Sequence, residues 1–131
     1  MRILILEDDL ETLTKLLDHL THLEDNLQTN IAVTVFSEYW QVEEHLNQGT
    51  KEKFDFVLLD RDCKLGGSFH VLDLKKFPAS TIIGISSNPE YNKELLAKGV
   101  KITVNKDYQH LDNFAEEVIR IFRKNMNQAS R

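Results

Sequence analysis

Apolar residues alternate between two periods along this chain. Ile3 to Leu6 is a short unbroken apolar run, which marks a strand covered on both faces. After the acidic "EDD", leucines recur at Leu10, Leu13, Leu16, Leu17, Leu20, Leu23 and Leu27. That spacing places one apolar face on a long helix. Asp9 is positioned to cap it, and Glu11 suits its first turn. Ile31–Phe36 is rich in β-branched residues and reads as a second strand. A helix capped by Ser37 then runs to about Leu46 and closes at "NQGT".

Phe54–Leu59 is the third strand. A helix is expected between Gly67 and Pro78, with Phe69, Leu72 and Leu74 as its apolar residues. Thr81–Ile85 is the fourth strand. The next helix has Asn88 as N-cap, Pro89 at its first position and Gly99 just past its end. Val100–Val104 reads as a fifth strand. Leu111, Phe114, Ala115, Val118, Ile121 and Phe122 form the apolar face of a final helix, and residues 126–131 read as a polar tail after a domain spanning 1–125. Alternating strands and helices predict a parallel sheet with helices on both faces. Ligands of such sheets sit at the carboxyl ends of the strands.

Bulk properties narrow the setting. The length of 131 residues fits one domain with a real core, and 28% charged residues fits a soluble protein. A net charge of −5 disfavours a domain built to grip phosphate backbones, so direct nucleic-acid binding is not expected. The only cysteine, Cys63, excludes an internal disulfide and fits a reducing compartment. The first apolar run is too short for a signal peptide, and none approaches a membrane span. A cytoplasmic location is expected.

Chemistry collects at the predicted strand ends. The first strand delivers Glu7, Asp8 and Asp9, the third Asp60 and Asp62, the fourth Ser86 and Ser87, and the fifth Asn105, Lys106 and Asp107. Carboxylates brought together repel and need compensation. A hard cation such as Mg2+, which takes oxygen ligands, supplies it. A carboxylate, a divalent cation, a lysine and a hydroxyl together suit a phosphoryl group. The carboxylate can itself be the nucleophile and form an aspartyl phosphate. Each residue also has a plainer reading. Asp60 could cap a turn, Glu7 to Asp9 could favour a helix N-terminus, and Ser86 could begin a helix. Lys106 alone would be an ordinary surface lysine.

The segments "ILILEDD", "VLLD", "IIGISS" and "GVKITVNK", in that order, resemble the receiver domain of two-component response regulators. The resemblance spans nearly the whole chain. It implies a flavodoxin-like doubly wound fold: five parallel strands in the order 2-1-3-4-5 with five helices. It implies that Asp60 is the phosphoacceptor and that Glu7 and Asp8 are the acidic pair, Asp8 being the direct Mg2+ ligand. Asp62 falls where the family supplies a backbone carbonyl to the metal. Ser86 falls where a Ser or Thr meets the phosphoryl group, and Lys106 matches the family lysine. The chain departs at Lys64 and Asp107, where prolines are usual, and at Thr103, where an aromatic usually reports phosphorylation.

Three functions are weighed. A receiver would be phosphorylated on Asp60 by a histidine kinase or a histidine phosphotransfer protein and would signal to a downstream target protein, with a homodimer compatible. With no residues left for a DNA-binding output domain, its effect is expected to run through protein contacts. A pseudo-receiver would keep the fold as a binding module and lose switching. A metal-dependent enzyme would use "DRD" as a DxD phosphatase or a Toprim-like nuclease does. The late acidic pair of the former is missing, and the latter leaves Ser86 and Lys106 idle.

Overall fold

The computed structural model describes residues 1–47, 53–60 and 79–129. Five strands form one sheet: β1 (Arg2–Leu6), β2 (Ala32–Phe36), β3 (Phe54–Leu59), β4 (Ala79–Ser86) and β5 (Ile102–Asn105). Their order is β2-β1-β3-β4-β5, and every neighbouring pair is parallel. This is the expected 2-1-3-4-5 arrangement. Four helices lie among the described residues: α1 (Leu10–Leu27), α2 (Tyr39–Asn47), α3 (Pro89–Ala97) and α4 (Leu111–Ala129). The fifth expected helix, between Gly67 and Pro78, lies outside them, as do Asp62, Cys63 and residues 48–50 of the closing "NQGT".

The pleat explains the two cores. Successive strand residues point to opposite faces of the sheet. Ile3, Ile5, Phe56, Leu58, Ile83 and Ile85 join Leu16 and Leu20 of α1 and Phe114, Val118 and Phe122 of α4 on one face. Leu4, Leu6, Val57 and Leu59 point the other way and pack with Val42 of α2. β1 and β3 are therefore apolar on both sides, and that is why their sequences show no alternation.

Helix ends follow local chemistry. The Asp9 carboxylate caps α1 by accepting from the Thr12 amide at 3.0 Å. The Asn88 side chain does the same for the Glu90 amide of α3. At the other end of α3, Gly99 takes φ +107°, which glycine reaches without strain. The Val100 amide then donates back to the Leu95 carbonyl at 3.1 Å. That use of Val100 in the helix end is why β5 begins at Ile102 and not at Val100. α4 extends to Ala129, into the stretch expected as a polar tail, because Met126 still packs against the core.

The tightest tie between the sheet and α4 is the stack of Phe56 on Phe122, with ring centroids 4.4 Å apart and Phe122 fully buried. Phe122→Ala is expected to cost about 3–5 kcal/mol, the usual loss for deleting a buried ring. A urea melt checks this, since the midpoint should fall with the slope unchanged.

Candidate functional site

The strand order reverses between β1 and β3, and that reversal opens a crevice at their carboxyl ends. Glu7 and Asp60 are the residues that follow β1 and β3. Each is fixed by a continuation of the sheet ladder. The Glu7 amide donates to Phe36 at 3.0 Å, and the Asp60 amide donates to Leu6 at 3.1 Å. Past β5, the Lys106 amide donates to Ser86 at 3.0 Å. Backbone pairing thus delivers two acids and a lysine from three strands to one end of the sheet.

There they form a buried ion cluster. Glu7, Asp60 and Ser86 are wholly buried, and Lys106 is 2% exposed. The Lys106 ammonium binds Glu7 Oε1 in a very short contact and Asp60 Oδ2 at 2.9 Å. Glu7 Oε2 accepts the amides of Asp8 and Asp9, each at 3.1 Å. The Tyr108 ring lies over the ammonium, with its centroid 5.3 Å away. Asp8 is half-buried, and ligand oxygens of Glu7, Asp8 and Asp60 all lie within 4.8 Å of one another.

Charge balance sets the electrostatics. Three carboxylates face one ammonium, so the cluster keeps net negative charge. Burial first, and the Asp60 charge second, push the Glu7 carboxyl up to about 8, although Lys106 pulls it down. Lys106 itself is desolvated, which favours its neutral form, but the charges of Asp60 and Glu7 outweigh this and hold its pKa above the ordinary lysine value. The donor set is all oxygen and anionic, with atoms close enough to share one small ion. It fits a hard divalent cation such as Mg2+.

Ser86 ends β4. Its hydroxyl oxygen accepts the Asn88 amide at 3.1 Å, which leaves the hydroxyl proton available to an incoming oxygen. Among the expected site residues, Glu7, Asp8, Asp60 and Lys106 come together, and Ser86 joins Lys106 through the strand-end bond. Asp62 lies outside the described residues. Two further neighbours complete the surroundings. Tyr108 roofs Lys106 from two residues further along the chain. Asn92 is buried between α3 and the ends of β4 and β5. Its signal was present: it sits three residues before Leu95, on the apolar face of a short helix.

Comparisons with known proteins agree with this architecture. No family model matches the chain, and no curated protein matches it either. Solved structures do. A response regulator receiver domain from Rhodospirillum rubrum superposes with a TM-score of 0.70 at 15% identity, covering 94% of each chain. An orphan response regulator of H. pylori gives 0.60 at 16%, covering 92% of this chain and 94% of that one. At such identity the likeness is one of fold: the chain has the flavodoxin-like fold of receiver domains.

The Glu7 shift has a consequence for stability. A carboxyl whose folded value is raised contributes stability that is present below its unfolded value near 4.5 and lost as pH rises through about 8. With divalent cations chelated, this group should therefore lower the melting temperature as pH is raised from 5 to 8. Glu7→Gln should flatten that dependence. Thermal melts of both proteins across the range provide the check, and added Mg2+ should offset the loss in the wild type.

Proposed function

We propose that the chain is a receiver-type signalling domain that accepts a phosphoryl group on Asp60 with Mg2+. The observation that supports this reading best is the buried Lys106 ammonium shared between Glu7 and Asp60 at the switch point of the sheet, with Asp8 beside them. A scaffold with no chemistry to perform would have little reason to keep two acids and a lysine together out of water, with a third acid at their edge.

In the proposed reaction a carboxylate oxygen of Asp60 attacks the phosphorus of a phosphohistidine or a small acyl phosphate. The new P–O bond forms as the donor's bond to phosphorus breaks, and the leaving group departs with the electron pair. Lys106 holds negative charge on the phosphoryl oxygens, and the Ser86 hydroxyl donates to one of them. Glu7, Asp8 and Asp60 would hold Mg2+, with the backbone at Asp62 as a further ligand; the ion supplies neutralisation of the charge gathered on the transferring group. Glu7 keeps Lys106 in place from behind. The domain takes up one equivalent and acts as a signalling module, not a turnover enzyme. A histidine kinase or a histidine phosphotransfer protein is the donor, and a target protein reads the modified surface. No helix among the described residues is long and apolar enough to cross a membrane, and a cytoplasmic setting fits the chemistry.

One observation favours the pseudo-receiver as a second reading. Thr103 stands where receivers carry a reporting aromatic, and it packs against Gly84 at the strand interior. One experiment separates the two. Intact mass is measured after incubation with acetyl phosphate, with and without Mg2+, on wild type and Asp60→Asn. The expected outcome is a single Mg2+-dependent phosphoryl adduct that Asp60→Asn abolishes. Lys106→Ala should slow its formation by roughly 100-fold, as loss of a transition-state donor does. An adduct that survives Asp60→Asn would sink the assignment. No adduct with either small or protein donors would favour the pseudo-receiver, and steady release of phosphate would favour a DxD enzyme.

A further inference from the structure

The receiver reading assigns no role to Asn92, yet this side chain is 6% exposed and sits beside the site. Its Nδ2 donates to two carbonyls, Ser86 and Val104, each at 3.4 Å. Those carbonyls belong to different strands, β4 and β5. Its Oδ1 is buried with no hydrogen-bond partner. Buried amides are normally satisfied, so one spanning two strand ends with an orphaned oxygen calls for a reason.

Position supplies one. Ser86 is the last residue of β4, and Val104 lies two residues before Lys106. Beyond them the sheet ladder offers only the Lys106 amide to Ser86. The Asn92 amide group therefore adds a side-chain tie across the two strands where the serine hydroxyl and the lysine emerge. α3 also reaches Ser86 a second way, because the amide of its N-cap residue Asn88 binds the serine hydroxyl oxygen. One helix thus holds both oxygens of Ser86 and a carbonyl of β5.

Gly84 makes this grip possible. A Cβ there would lie 2.8 Å from Leu95 Cδ1, 3.1 Å from Thr103 Cγ2 and 3.2 Å from Asn92 Oδ1. A side chain at position 84 would push on Leu95, Thr103 and Asn92, so glycine leaves Asn92 its place against the strand.

We propose that Asn92 is a positioning residue that clamps the site ends of β4 and β5 to helix α3, holding Ser86 and Lys106 at the spacing a phosphoryl group needs. This rests on the receiver reading above. Bonds of 3.4 Å are long, so a small closure of Ser86 and Lys106 on a phosphoryl group alters them. Such closure is felt at α3 through Asn92.

The test uses the full chain with acetyl phosphate and Mg2+, following adduct formation by intact mass and amide exchange along α3. Wild type should show changed exchange over Pro89–Ala97 on phosphorylation. Asn92→Leu, which keeps bulk and removes both donors, should form the adduct roughly 10-fold more slowly, the order expected for a displaced reacting group. Its α3 exchange should no longer respond. Leu23→Ala, on the core face of α1, controls for stability: it should lower the melting temperature without slowing the adduct. Gly84→Ala reaches the same clamp from the strand and should reproduce the Asn92→Leu effects if that variant does not fold. The wild-type exchange comparison needs no variant. An adduct with no change at α3, or equal slowing by Leu23→Ala, overturns the clamp and leaves the receiver reading standing. No adduct on wild type, with acetyl phosphate or with a phosphorylated protein donor, overturns that reading and the clamp with it.

Discussion

Lys106 places its ammonium between Glu7 and Asp60, out of water, and the rest of the molecule is arranged so that this is tolerable. Removing one partner from such a cluster typically costs about 3–5 kcal/mol, because a buried charge is left uncompensated. The three residues are far apart in sequence and belong to three different strands. Only a parallel sheet in the order β2-β1-β3-β4-β5 brings the ends of β1 and β3 side by side with β5 within reach of a lysine's length. The apolar runs of β1 and β3, buried on both faces, hold that sheet. The ladder bonds from Glu7 to Phe36, Asp60 to Leu6 and Lys106 to Ser86 extend the order one residue past each strand. Charge can be buried here because the backbone carrying it is fully paired. The compensation is incomplete by design of the residue set, since Asp8 adds a further acid. That surplus would suit a hard divalent cation, while burial and the Asp60 charge push the Glu7 carboxyl up.

The far side of the site has a different construction. No ion pair among the described residues reaches Ser86. It is held by amides: Asn88 on its hydroxyl, and Lys106 and Asn92 on its carbonyl. A neutral side with its hydroxyl proton available and a charged side with a fixed ammonium are complementary, since both are hydrogen-bond donors. The helix that carries Asn88 and Asn92 is therefore part of the site's wall as well as a cover for the sheet.

Much of this was legible in sequence for a definable reason. β3 matches its expected span residue for residue, and the N-caps Asp9 and Asn88 sit where short polar side chains precede periodic segments, whereas α2 starts at Tyr39, two residues past the expected Ser37 cap. Those signals are local, and local physics fixes them. Lys106 and Asn92 show the limit. A lysine after a four-residue strand has the same local signature whether it is buried or solvated, and only the strand order decides. The family likeness supplied that order in advance. Asn92 looks like an ordinary polar helix residue until α3 is seen seated on Gly84. The same holds for Val100, whose amide goes to the helix end instead of the sheet, and for α4, whose last turns follow Met126 and not the surrounding polarity.

Gly84 and Thr103 are best understood together. They are register partners on adjacent strands, facing α3. The methyl of Thr103 and the Leu95 side chain already occupy the space around Gly84 to within contact distance. Added bulk directed into this space meets Leu95 Cδ1 and Asn92 Oδ1. Interiors this close-packed do not absorb an added ring at low cost; overpacking typically costs about 1–3 kcal/mol for far smaller additions. Gly84 and Thr103 leave the Asn92 amide room beside the strands. Among the described residues, that side chain ties the carbonyls of both strand ends, Ser86 and Val104, to α3.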